Sequence, residues 1–139
     1  VPDQRLMRKL DIDHPPAGFE VYIDMDSLSL SKSDQVIRYW MMLKAGKSAN
    51  VMYEGIRCST NEVKTYAYVN KWKKDKVNVN KSATWQAIRP IGHYQYRFEL
   101  VKYYCSSGVL LRPVQDIKDI IKGYKSTTSE FDPTYNYAQ

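Results

Sequence analysis

The sequence predicts an α+β domain, an antiparallel β-sheet meander packed with one or two helices. Three observations carry that prediction. Residues 36–44, 51–58 and 63–69 are apolar or alternating runs separated by short polar turns, the pattern of hairpin-connected strands. Residues 113–124 instead place Val114, Ile117, Ile121 and Tyr124 at helical spacing. The chain has 139 residues and 43% hydrophobic content, which is one domain's worth of core and excludes wholesale disorder.

Residues 1–18 read as an N-terminal arm, because the basic opening is weakly periodic and Pro15, Pro16 and Gly18 interrupt regular structure. The globular domain then spans 19–124. Phe19, Val21 and Ile23 alternate with Glu20, Tyr22 and Asp24, as in a half-buried strand. Residues 26–30 suit a short helical turn capped by Asp26 or Ser27.

The run 36–44 is apolar on both faces and rich in Val, Ile, Tyr and Trp, which marks a central strand. Residues 45–50, with Gly46, form the turn to the strand 51–58, where Gly55 is the expected site of a bulge. After a turn at 59–62, the strand 63–69 carries Tyr66 and Tyr68 on one face. Residues 70–76 form a basic tip. A last strand covers 84–89, with Trp85 and Ile88, and ends at Pro90 and Gly92.

In 94–105, Tyr94, Phe98, Val101 and Cys105 share a helical face, with a strand as the alternative. For the second helix, Pro113 suits the first position, Asp116 meets the positive end of the dipole, Lys122 the negative end, and Gly123 terminates it. Residues 125–139 read as an extended C-terminal tail.

Cys58 and Cys105 are the only cysteines. They lack the nearby Cys or His partners that a zinc site needs, and His14 and His93 read as surface residues. Two buried thiols, one nucleophile or a disulfide all remain open from the residues alone.

Several blocks together resemble the cryptic neisserial protein-like family. They are Asn50-Val51-Met52-Tyr53-Glu54-Gly55-Ile56-Arg57-Cys58, Tyr66-Ala67-Tyr68, Trp85 with Ile88, and Tyr103-Tyr104-Cys105-Ser106-Ser107-Gly108. Tyr22-Ile23-Asp24 and Asp26-Ser27-Leu28 match its opening strand and turn, so the resemblance runs over residues 19–122. It implies a small exported protein of Gram-negative bacteria, of a kind often predicted to be lipoproteins, whose function is unknown. The implied location is periplasmic or outer-membrane-associated. That oxidising setting makes a Cys58–Cys105 disulfide the expected state. The sequence departs from the family in having no lipid-accepting Cys at its start and in its tail beyond Gly123.

The residues predict no catalytic centre, metal site or cofactor. Asp24 and Asp26 lie near a turn, where capping explains Asp26 as well as acid–base chemistry does. Glu54 and Arg57 are three apart in a strand and face opposite ways, so each is expected in a cross-strand ion pair. No stretch is apolar enough to span a membrane. The net charge of +6 is foremost a matter of solubility and secondarily a sign of anionic partners.

The strongest charge cluster is Lys71, Trp72, Lys73, Lys74 and Lys76. It reads first as a solvated hairpin tip, and otherwise as a contact for lipopolysaccharide or nucleic acid, the latter disfavoured by export. Tyr39, Trp40, Tyr53, Tyr66 and Tyr68 are expected to be mostly core, with any aromatic face left over serving as a binding surface. In the tail, Phe131, Tyr135 and Tyr137, with Tyr124 before them, are anchors for a partner. The expected role is therefore a non-enzymatic envelope protein that binds other envelope proteins, such as an accessory part of a secretion system. An anionic-ligand module using 71–76 is the alternative, and an enzyme with a site hidden from motif reading is the third.

Overall fold

The computed structural model describes residues 1–13, 15–69, 76–92, 95–107 and 110–127. In chain order the strands are β1 (Arg8–Lys9), β2 (Glu20–Ile23), β3 (Ser29–Ser31), β4 (Val36–Ala45), β5 (Ser48–Arg57), β6 (Glu62–Val69), β7 (Val77–Val79) and β8 (Gln86–Ala87). Helix α1 (Tyr96–Tyr104) follows, then the ribbon β9 (Cys105–Ser106) and β10 (Leu110–Leu111), and helix α2 (Val114–Ile121). Among the described residues β1–β2–β4–β5–β6–β7 form one antiparallel sheet, with β3 on β4 and β8 on β6. The fold is α+β, as the sequence predicts.

The β4–β5 hairpin is the spine. Its ladder runs from Val36↔Arg57 to Ala45↔Ser48, so Gly46 and Lys47 alone make the turn. The turn is tighter than the expected 45–50 because Gly46 takes φ 57°, which matches a two-residue hairpin to the twist of its strands. Asn61 turns the chain from β5 to β6 at φ 54°, a conformation that Asn tolerates through its short polar side chain.

The bulge lies on β6 rather than at Gly55. Tyr53 pairs with Ala67 and Glu54 with Thr65, which leaves Tyr66 as the extra residue. This re-aims Tyr66, so it does not share a face with Tyr68, which pairs with the inward Met52. Gly55 is required for a different reason. A Cβ there would stand 3.0 Å from Tyr66 Cε2 and 3.0 Å from Val36 Cγ1. Gly55→Ala is expected to cost about 1–3 kcal/mol by overpacking, measured as a lower urea midpoint at unchanged m-value. An unchanged midpoint would show that the Tyr66 ring yields freely.

The pleat sorts β4 into two faces. Ile37, Tyr39, Met41 and Leu43 point inward and pack with Ile56, with Tyr96, Leu100 and Tyr104 of α1, and with Ile117 of α2. Both helices cover that face. The buried stripe of α1 is Tyr96, Leu100 and Tyr104, with Glu99 and Val101 beside it. The expected stripe was shifted: Phe98 is only half-buried, Cys105 is the extended C-cap, and Tyr94 lies outside the described residues. In α2, Pro113 stands at the N-cap, Ile117 and Ile120 are buried, and Gly123 at φ 81° follows the C-cap Lys122. Tyr124 is 77% exposed rather than part of the stripe, because the chain has already left the helix.

The segment read as an arm is partly built into the domain. Met7 and Leu10 are buried, β1 pairs with β2, and Leu10 N–H donates to the Val21 carbonyl. Asp13 N–H donates to Glu99 Oε1 at 2.7 Å, and Tyr103 Oη donates to the Asp11 carbonyl at 2.6 Å. Its apolar residues are too few to show periodicity, yet two of them find core positions.

Three other local expectations change. Residues 26–30 divide into a 3₁₀ turn, Met25–Ser27, with Asp24 at the cap position, and β3. The Ser27 hydroxyl donates to the Asp24 carbonyl and accepts from Trp40 N–H. The strand at 84–89 shrinks to β8, and β7 was not foreseen. Both flank β6: β8 pairs with its start and β7 with its end. Between them, Asn80 donates to the Thr65 carbonyl from its side chain and to the Tyr66 carbonyl from its backbone. Two short flanking strands and one Asn thus occupy an edge that would otherwise offer unpaired groups.

Candidate functional site

The helix-covered face of the sheet holds a buried polar knot. Met52, Glu54 and Ile56 share a strand phase, so Glu54 enters the core and is fully buried. Its Oε1 accepts from Tyr39 Oη at 2.8 Å and its Oε2 from Arg97 Nη2 at 2.9 Å. Arg97 projects from α1 and its side chain is 12% exposed. The knot therefore joins β4, β5 and α1. Glu54 was expected in a cross-strand pair; its partner is on the helix instead. Arg57 does form such a pair, with Glu62 at 2.6 Å.

Burial pushes the Arg97 guanidinium toward losing its proton, but Glu54 and the Tyr96 ring outweigh it and hold Arg97 firmly charged. Tyr39 ionises well above the ordinary tyrosine range because of burial first and the Glu54 carboxylate second. Tyr104, whose ring centroid lies 4.9 Å from that of Tyr39, is raised for the same two reasons. An exposed tyrosine in the unfolded chain ionises near 10.0. Stability is thus intact below that pH. Above it, stability falls by ~1.4 kcal/mol per pH unit per tyrosine, because the unfolded state releases its protons first. Alkaline titration followed by phenolate absorbance is expected to show these two rings ionising only with unfolding. Their ionisation in still-folded protein would contradict that.

Beside the knot, Cys58 and Cys105 are joined by a disulfide with Cα atoms 5.7 Å apart. Both residues are buried. The bond ties the residue after β5 to the residue that ends α1, and so fastens the sheet to the helix layer.

Neither α1 nor α2 lies on the other sheet face. Met7 covers one end, packed with Met42 and Val51. Across the rest runs a row of half-buried rings. Trp40 and its cross-strand partner Tyr53 have centroids 5.2 Å apart, and Tyr53 and Tyr66 are 5.8 Å apart. Cations alternate with the next rings. Arg38 and Lys64 lie 5.4 Å and 5.5 Å from the Tyr66 centroid, and Lys64 and Arg57 lie 5.8 Å and 4.3 Å from that of Trp85. These are cation–π distances. Arg38 also pairs with Asp34, and Arg57 with Glu62.

Of the five aromatics expected to be mainly core, only Tyr39 is fully buried. Trp40, Tyr53 and Tyr66 line the open face and Tyr68 is 47% exposed. The pleat accounts for Tyr39 and Trp40 parting, since neighbours on a strand face opposite ways. Sequence reasoning missed Arg38 and Lys64 as members of this face. The period of two in β4 and β5, which aligns Arg38 with Trp40 and Tyr53 with Arg57, was the available signal. It also missed Arg97, for which no local signal exists.

Of the basic tip, Lys76 is exposed, while Lys71, Trp72, Lys73 and Lys74 lie outside the described residues, as do Phe131, Tyr135 and Tyr137. His14 and His93 lie outside them too. Asp24 is buried and Asp26 exposed, so the two carboxylates occupy unlike settings. Among the described residues no group of His, Cys, Asp and Glu is placed to hold a metal ion. No helix there is long and apolar enough to cross a membrane.

Fold and geometry together define a small disulfide-tied α+β domain with one helix-covered and one open sheet face. The model of the CNP1-like family matches residues 1–122, and the chain belongs to that family. The match begins at residue 1, ahead of the 19 at which the resemblance was read, and stops before the tail. No curated protein and no solved structure matches the chain.

Proposed function

We propose that this chain is a non-enzymatic protein of the bacterial cell envelope, periplasmic or associated with the outer membrane. In that reading it docks onto other envelope proteins as an accessory part of a larger assembly such as a secretion apparatus. The observation that carries the reading is the buried Cys58–Cys105 disulfide, which joins the two layers of the fold. A bond in that position suits a protein that matures in an oxidising compartment. Family membership and the half-buried aromatic face support it, since Trp, Tyr and Arg dominate binding hot spots.

Fractionation with thiol alkylation, before and after reductant, tests the placement. The protein is expected in the envelope fraction with both cysteines blocked until reduced. Free thiols in freshly isolated protein would sink the exported reading. Affinity purification from mildly solubilised envelopes tests the docking role. Recovery solely as a free monomer would count against it.

A second reading uses the basic tip as an anionic-ligand contact, lipopolysaccharide before nucleic acid. The exposure of Lys76 beside the edge strand β7 favours it. Binding should then weaken with salt and vanish when Lys71, Lys73, Lys74 and Lys76 are replaced by Ala.

A further inference from the structure

We propose that the open sheet face binds a carboxylated polysaccharide, a chain of uronic-acid type, along the row from Trp40 to Trp85. The inference rests on the exported placement proposed above, and it names a different surface from the basic tip.

The surface is the face of β4, β5 and β6 that neither α1 nor α2 covers among the described residues. The rings of Trp40, Tyr53 and Tyr66 cross it nearly perpendicular to the strands, at centroid steps of 5.2 and 5.8 Å. With Trp85 beyond β6, the row spans three interstrand steps, about 15 Å. Half-buried rings fixed in a sheet give a ligand apolar contact at small entropic cost, and sheet faces with such rings hold extended chains in other folds. A pyranose presents just such an apolar face of C–H groups.

Charge selects among sugars. Lys64 stands between the Tyr66 and Trp85 rings. Among the described residues it has no carboxylate within ion-pair distance, unlike Arg38 and Arg57. It is therefore the cation whose charge is left for a ligand. A chain that alternates apolar ring faces with carboxylates complements the Tyr66–Trp85 end of the row, where rings alternate with cations. Single-stranded nucleic acid offers the same alternation, but it is not the polymer that an envelope protein meets.

Purified full-length protein is tested with polygalacturonate by isothermal titration at low salt, beside neutral dextran, oligothymidylate and anionic phospholipid vesicles. Saturable binding to the polyuronate and none to dextran is expected. Lys64→Glu and Trp85→Ala are each expected to weaken it by about tenfold or more, from reversal of one charge and loss of one stacking contact respectively. Lys64→Arg should retain it. Lys122→Glu, the same charge change on the helix layer, should leave it nearly intact. Circular dichroism of each variant shows that the fold persists.

The proposal is overturned if the polyuronate does not bind. It is also overturned if Lys122→Glu weakens binding as much as Lys64→Glu, if removing the four tip lysines abolishes binding while Lys64→Glu spares it, or if oligothymidylate or vesicles bind this face more tightly. The assay uses isolated protein, so these outcomes are independent of whether the exported placement holds.

Discussion

Glu54→Ala is expected to destabilise the protein by about 3–5 kcal/mol. The carboxylate is fully buried and bonded to both Tyr39 and Arg97. Removing it takes the buried carboxylate away from a guanidinium that is 12% exposed and from a buried phenol that donates to it. Each loss adds a desolvation penalty that water cannot relieve. The pair itself is a weaker stabiliser than that figure implies, because bringing both charges inside was costly. Glu54→Leu combined with Arg97→Met should therefore recover much of the loss. Urea denaturation of the wild type, Glu54→Leu, Arg97→Met and the double variant measures the coupling. A single-variant loss below about 1 kcal/mol would mean that water reaches the site.

Replacing both cysteines by Ala is expected to cost about 4 kcal/mol, from the loop entropy of a 47-residue separation. That is a large part of the 5–15 kcal/mol typical of a domain. The bond closes the loop that carries β6, β7, β8 and α1, so its loss releases the helix layer from the sheet in the unfolded ensemble. Reductant should lower the denaturation midpoint of the wild type and leave the double variant unmoved. Equal midpoints for reduced and oxidised wild type would show that the core alone holds the two layers.

These two sites differ in how far the residues announced them. Cys58 and Cys105 stood out by number, but residue spacing left three readings open until the family resemblance implied an oxidising setting. Glu54 was visible as a charge in phase with Met52 and Ile56, which marks a buried position. Its partner was not visible, because Arg97 lies 43 residues away on an element whose rotation local spacing misjudged. The α1 stripe shows the same limit. Tyr94, Phe98 and Val101 were as good a helical face as Tyr96, Leu100 and Tyr104, and in a stretch rich in tyrosine the period alone does not choose between them.

The open face returns to the aromatic residues. Tyr39 and Trp40 are adjacent, similar in size and opposite in fate. The pleat separates them, but only the position of the helices says which side is inside. By itself the sequence determined the meander, its three central strands, the second helix and the candidate covalent tie, and left the first helix open against a strand. Those depend on short-range alternation, turn chemistry and composition. The tertiary structure decided the inward face, the bulge at Tyr66, the burial of Met7 and Leu10, and the meeting of Lys64 with two rings. Each of those is a long-range contact whose energy depends on groups that lie far apart in the chain, and local periodicity carries no record of it.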